Sequence, residues 1–102
     1  MPIQLVIVER RDNADREELG NAAFAACKAA RAQEGIISSR FFWSGADNIV
    51  FLTEGSADAL DAPAGAEASK ATFEISDRAR VTTTMRLLDP RAGVENYRKA
   101  GR

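Results

Sequence analysis

The chain has 102 residues, 45% hydrophobic and 28% charged, with 14 Lys and Arg against 15 Asp and Glu for a formal net charge of -1. That length makes a single domain, predicted over 1–102, and the composition lies far from the disordered regime. The near balance of charge excludes a general electrostatic grip on nucleic acid, which needs a basic excess or stripe.

Met1-Pro2 leads straight into Ile3-Gln4-Leu5-Val6-Ile7-Val8, with no basic stretch and no small-residue cleavage site before it. So short an apolar run makes a strand, Ile3 to Glu9, and not a signal or membrane span. The expectation is a soluble cytoplasmic protein with no membrane partner. Apolar residues occupy both parities of this strand, so cover is expected on both of its faces. Asp12 or Asn13 is then expected to cap a helix from about Ala14 to Gln33. Asp15, Glu17 and Glu18 fall in its first turn, where the helix dipole favours negative charge. Leu19, Ala23, Ala26, Cys27 and Ala30 form its apolar stripe, and Gly35 is read as its stop.

Ile36 to Trp43 and Asn48 to Glu54 read as the two strands of a hairpin around Ser44-Gly45-Ala46-Asp47. A four-residue loop would put Phe41 and Trp43 on a face with Val50 and Leu52. A five-residue loop would group them with Ile49 and Phe51, and pattern alone leaves both open. Ser56 is a plausible cap for a short turn near Asp58–Asp61. After Pro63 and Gly65 a main helix is expected from about Ala66 to Arg78, its stripe being Ala64, Ala68, Ala71 and Ile75. Phe24 and Phe73 stand off the two stripes and are expected to fill the groove between or beside the helices. Arg80 to Leu88 is the last strand, with Val81, Thr83, Met85 and Leu87 on one face. The tail 91–102 carries Arg91, Arg98, Lys99 and Arg102 and has the pattern of a short helix.

The predicted order is β-α-β-β-α-β. Right-handed crossovers then give an α+β, ferredoxin-like fold: a four-stranded antiparallel sheet with helices on one face. Strands that are apolar on both faces need a second cover. A second copy of the sheet, forming a homodimer through the open sheet face, is the simplest one.

This pattern resembles the dimeric α+β-barrel superfamily, whose ferredoxin-like domains pair sheet to sheet. That superfamily includes antibiotic-biosynthesis-type monooxygenases, haem-degrading enzymes and small lactone isomerases. The haem-degrading branch uses an Asn on the first strand together with a His, whereas that strand here reads Ile3-Gln4-Leu5-Val6-Ile7-Val8-Glu9 and the chain has no His. The monooxygenase-like branch uses Asn, Trp, Tyr and Arg around an aromatic substrate, and Trp43, Arg86 and Tyr97 offer matching residue types. The same element order describes RNA-recognition modules, but Asn48-Ile49-Val50-Phe51-Leu52-Thr53-Glu54 lacks their Lys/Arg-Gly-aromatic-Gly-aromatic run.

The resemblance implies a metal-free enzyme, monooxygenase- or isomerase-like, acting on a small aromatic compound without a cofactor. The candidate ligand-binding residues are Trp43 as an apolar wall, Arg40 and Arg86 as anion or enolate holders, and Tyr97 at the mouth. The plainer reading makes Trp43 part of the sheet core or dimer interface, with the arginines paired to acids. With no His as a base, Cys27 reads as a buried structural thiol. The acids from Asp12 to Glu18 read as capping and dipole charges and not as a metal site. A non-catalytic domain that binds a small metabolite or mediates association is the alternative function.

Overall fold

The computed structural model describes residues 1–88. In chain order they form β1 (Ile3–Arg10), α1 (Arg16–Arg31), β2 (Ile36–Ser44), β3 (Asn48–Gly55), α2 (Ala57–Asp61), α3 (Ala66–Arg78) and β4 (Ala79–Leu87). The strands make one sheet in the order β2-β3-β1-β4, and every neighbouring pair is antiparallel. This is the ferredoxin-like arrangement expected from the sequence, with one extra short helix. The tail from 91 to 102, including the expected short helix and Tyr97, lies outside the described residues.

The β2–β3 register answers the question the pattern left open. Phe41 faces Phe51 and Trp43 faces Ile49, so all four side chains share one side of the sheet. Gly45, at φ 73°, begins the turn between Ser44 and Asn48. The turn is tied down by Arg10, whose backbone N–H donates to the Asp47 carbonyl at 2.7 Å and whose Nη2 donates to Asp47 Oδ1 at 2.6 Å. Because β1 is in register with β3, Val6 and Val8 join Phe51 and Ile49 on that same side.

This side is the core. Val8, Leu19 and Ile49 are almost fully buried, with Ala22, Ala23, Cys27 and Ile75 closing around them. The alanines let α1 approach the sheet closely, as their small side chains predict. α1 starts two or three residues later than the pattern suggested, because Asp15 itself is the cap: its Oδ1 accepts from the N–H groups of Glu17 (2.8 Å) and Glu18 (3.3 Å). The helix also ends earlier, with Ala32 as its C-cap, so Gly35 is not the helix stop. Gly35 instead turns the chain into β2 at φ 89°. Ser56 caps α2 as expected, accepting from Ala59 N–H at 3.1 Å, and α3 has the expected bounds. Ala64 falls outside that helix and is exposed.

The phenylalanines correct the expectation placed on them. Phe24 is 59% and Phe73 71% exposed, so neither fills the groove between the helices. Both lie off the buried stripes of their helices, so their rings stay largely in solvent. The opposite sheet face carries Ile3, Leu5 and Ile7 of β1, Val50 and Leu52 of β3, and Phe42 of β2, with β4 adding Val81, Met85 and Leu87. No described element covers it, and Phe42, Val81, Met85 and Leu87 are 44–49% exposed.

The two turn glycines are separable experimentally. A Cβ at Gly35 would lie 2.7 Å from Ala59 Cβ, whereas one at Gly45 meets nothing within 4 Å. Gly35→Ala adds a clash to the left-handed strain and is expected to cost about 1–3 kcal/mol in urea unfolding, with Gly45→Ala at the low end of that range. Equal costs would show that the Ala59 contact does not matter.

Candidate functional site

α1 lies over β2 and β3, and α3 leans on α1 while overhanging the other half of the sheet. The gap left between α3 and β4 opens into a cavity of about 270 Å³. Its apolar wall is Val6, Val8, Phe51 and Ile75. Thr72 and Ser76 of α3 and Thr82 and Thr84 of β4 also line it and are exposed, so they form a hydroxyl-rimmed mouth.

A polar row crosses the sheet beneath the helices. The pairings Ser39↔Thr53, Thr53↔Gln4 and Gln4↔Arg86 put one side chain from each strand at the same level and on the same face. Ser39 Oγ and Thr53 Oγ1 share a hydrogen bond of 2.8 Å. Arg86 Nη2 donates to Gln4 Oε1 at 2.8 Å and to Asp61 Oδ1, at the end of α2, at 3.0 Å. Ser39, Thr53 and Gln4 line the cavity, and Arg86 stands behind Gln4. Cys27 closes the inner end, hydrogen-bonded to Ser39, while Arg31 Nη1 donates to the Ser39 carbonyl at 2.8 Å and ties α1 to β2.

Burial pushes the Cys27 thiol up, and the Ser39 hydrogen bond and the Arg31 charge offset this only in part. The group is therefore a neutral thiol at pH 7 and a poor nucleophile. Among the described residues no carboxylate lines the cavity. Among the described residues no three His, Cys, Asp or Glu side chains group as metal ligands would.

The residues proposed from the sequence take separate places. Trp43 is on the helix side at the hairpin end, half-buried, with the Arg16 guanidinium 3.9 Å from its ring centroid. It borders a wide, shallow groove with Phe24, Phe41 and Gly20, not the cavity. Arg40 is exposed on the opposite face, 5.4 Å from the Phe42 ring centroid. Arg86 is on the helix side at the far edge, about 20 Å from Trp43 by strand spacing and rise. Within one protomer these three do not converge. Sequence reasoning missed Gln4, Ser39 and Thr53, whose signal is that they are polar residues set within otherwise apolar strands.

No protein-family model matches the sequence, and no curated protein matches it. Solved structures do. The fold they share with this chain is the ferredoxin-like α+β arrangement. A Nitrosomonas europaea protein provisionally named an antibiotic biosynthesis monooxygenase superposes with a TM-score of 0.77 at 11% identity, over 86% of this chain and 97% of that one. Rv0793 from Mycobacterium tuberculosis gives 0.73 at 20% identity, over 90% and 100%. SnoaB, a cofactor-independent oxygenase from Streptomyces nogalater, gives 0.73 at 10% identity, over 85% and 91%. At these identities the likeness is one of fold.

The buried thiol makes a pH prediction. Its raised value means that the unfolded chain ionises first. The stability tied to the neutral buried thiol is therefore present in full below the unfolded thiol's ordinary value of about 8.5, and is lost as pH rises through the higher folded one. Urea unfolding between pH 7 and 10 should show a steeper alkaline loss for the wild type than for Cys27→Ser. Parallel curves would mean that Cys27 does not feel its burial.

Proposed function

We propose that the chain is a homodimeric, metal-free enzyme of the monooxygenase-like kind, taking a small aromatic compound into the cavity between α3 and β4. The observation that carries the reading is the cavity itself: an apolar wall wide enough for a ring, crossed at one level by a polar row. Its volume, about 270 Å³, lies just below the usual range for ligand pockets, roughly 300–1,000 Å³, and suits a single-ring compound. The likeness in fold to a cofactor-independent oxygenase adds support.

In such chemistry the substrate supplies the electrons. A phenol's ring C–H and O–H, together with O2, become a quinone's two C=O groups and H2O, both oxygen atoms being accounted for and no external reductant needed. The step begins from an ionised substrate. With Cys27 neutral and no carboxylate in the cavity wall, the substrate's own acidic hydroxyl provides that charge, and the polar row holds its oxygen. Turnover should therefore rise with pH along the substrate's own ionisation.

The same lack of an acid–base side chain among the described lining residues favours a second reading, that the domain binds a small metabolite without turning it over. Dissolved-oxygen consumption with hydroxylated single-ring aromatics separates the two. Uptake of one O2 per product, absent without protein, supports the enzyme. Saturable binding with no uptake supports the binding domain.

The homodimer reading rests on the uncovered sheet face, about 19 Å wide and 27 Å long by strand spacing and rise. An apolar face of this extent is uncommon on a monomer. A second sheet would cover it in the manner of sheet-on-sheet packing. The protein is read as cytoplasmic, in keeping with its lone buried thiol. Among the described residues no helix is long and apolar enough to cross a membrane. Nucleic acid and membranes are not proposed as partners.

Native mass spectrometry is expected to give twice the chain mass for the wild type and a folded monomer for Val50→Lys, which puts a charge at the centre of that face. A wild-type monomer would remove the dimer from the proposal.

A further inference from the structure

We infer that Arg86 locks the Gln4 amide in one orientation, making its Nε2 group a dedicated hydrogen-bond donor, so that the cavity selects ring compounds bearing an acceptor oxygen. This rests on the reading of the cavity as a ligand site and adds to it the polarity of the ligand.

The lock follows from the chemistry of the guanidinium. Arginine has donors only, so the amide atom 2.8 Å from Arg86 Nη2 must be the oxygen of Gln4. Flipping the amide would set donor against donor. With Oε1 engaged, Nε2 is the end left over, and it has no hydrogen-bond partner among the described residues. Asp61 Oδ1, 3.0 Å from the same Nη2, holds Arg86 from the other side and balances its charge. What reaches the cavity from this end is therefore an oriented N–H dipole and not a net cation.

The other polar groups in the cavity carry no such preference. Thr72, Ser76, Thr82 and Thr84 are hydroxyls, which turn to donate or accept as a ligand requires, while Ser39 and Thr53 are engaged with each other. Gln4 alone has its polarity set from outside. The matching group is a carbonyl, phenolate or enolate oxygen attached to the ring. A ligand offering only a donor would leave the Gln4 N–H unpaired and meet it with a second one. Arg86 is thus a positioning residue, acting through Gln4.

The test uses the full-length protein and three ligands of one size: benzaldehyde, which accepts; aniline, chiefly a donor; and toluene, which does neither. Dissociation constants are measured by ligand-observed NMR, and the Gln4 side-chain amide is followed by 1H–15N spectroscopy. The wild type is expected to bind benzaldehyde about tenfold more tightly than toluene or aniline, the worth of about one hydrogen bond. Benzaldehyde, but not toluene, should shift the Gln4 side-chain amide protons. Gln4→Leu and, independently, Gln4→Glu should lose the preference for benzaldehyde, Gln4→Leu keeping its affinity for toluene. Arg86→Met, which frees the amide to flip, should bring aniline and benzaldehyde to within about threefold of each other. Equal wild-type binding of benzaldehyde and toluene would overturn the donor assignment while leaving the cavity as a binding site. An unchanged ratio in Arg86→Met would overturn the lock. Failure of all three compounds to bind the wild type would overturn the cavity reading, and this inference with it.

Discussion

β1 is apolar on both faces and lies second from one edge of the sheet, with Val6 and Val8 turned to the helices and Leu5 and Ile7 turned away. Two helices joined by short crossovers can cover one of those faces and no more. Burial of the first face builds the fold, since Val8, Ile49 and Leu19 meet there with almost no exposure. Exposure of the second leaves a wide apolar surface whose cost scales with its area. The homodimer proposal and the separation of Arg40 from the other candidate residues both trace to this one-sided cover.

Within the covered face, packing is uneven. α1 meets the sheet through Ala22, Ala23 and Cys27 and comes close to it. α3 reaches the core only through Ala71, Ile75 and the chain at Ala79, and its neighbours Thr72 and Ser76 stop short of β4. The cavity is what remains. It lies where the polar row crosses the sheet, so the least filled part of the core is also the part with hydrogen-bonding capacity. An empty apolar gap there would lose packing contacts without return, whereas a polar-floored one can exchange water for a ligand.

Much of the fold was legible in the residues. Runs of β-branched and aromatic residues marked the strands, and Ser56 with the Pro63–Gly65 break located α2 and α3. The small stripe of α1 foretold its close approach to the sheet. The misread details share a cause. Asp12, Asn13 and Asp15 are all competent caps; residues 11–14 form a turn closed by Ala14 N–H donating to the Arg11 carbonyl at 3.0 Å, and the helix starts after it with Asp15 as its cap. Phe24 and Phe73 looked like groove fillers because large aromatic residues usually seek burial. Their positions off the buried stripes of α1 and α3 leave them largely in solvent instead.

The site was legible only in part. A polar residue in each of two apolar strands, Gln4 and Thr53, is visible in the sequence. That they stand side by side, with Ser39 and Arg86 in the same row, depends on three strand registers at once. Alternation along β2 already set Arg40 and Trp43 on opposite faces, but nothing in the pattern said which face Arg86 would share with either. The sequence by itself determined the elements, their order and the need for cover on both sheet faces, since these follow from local periodicity and composition. Only the tertiary structure decided the hairpin register, the row of polar groups and the place of the cavity. Those depend on which side chains face each other across strands, and a shift of one residue would have turned every one of them to the other side.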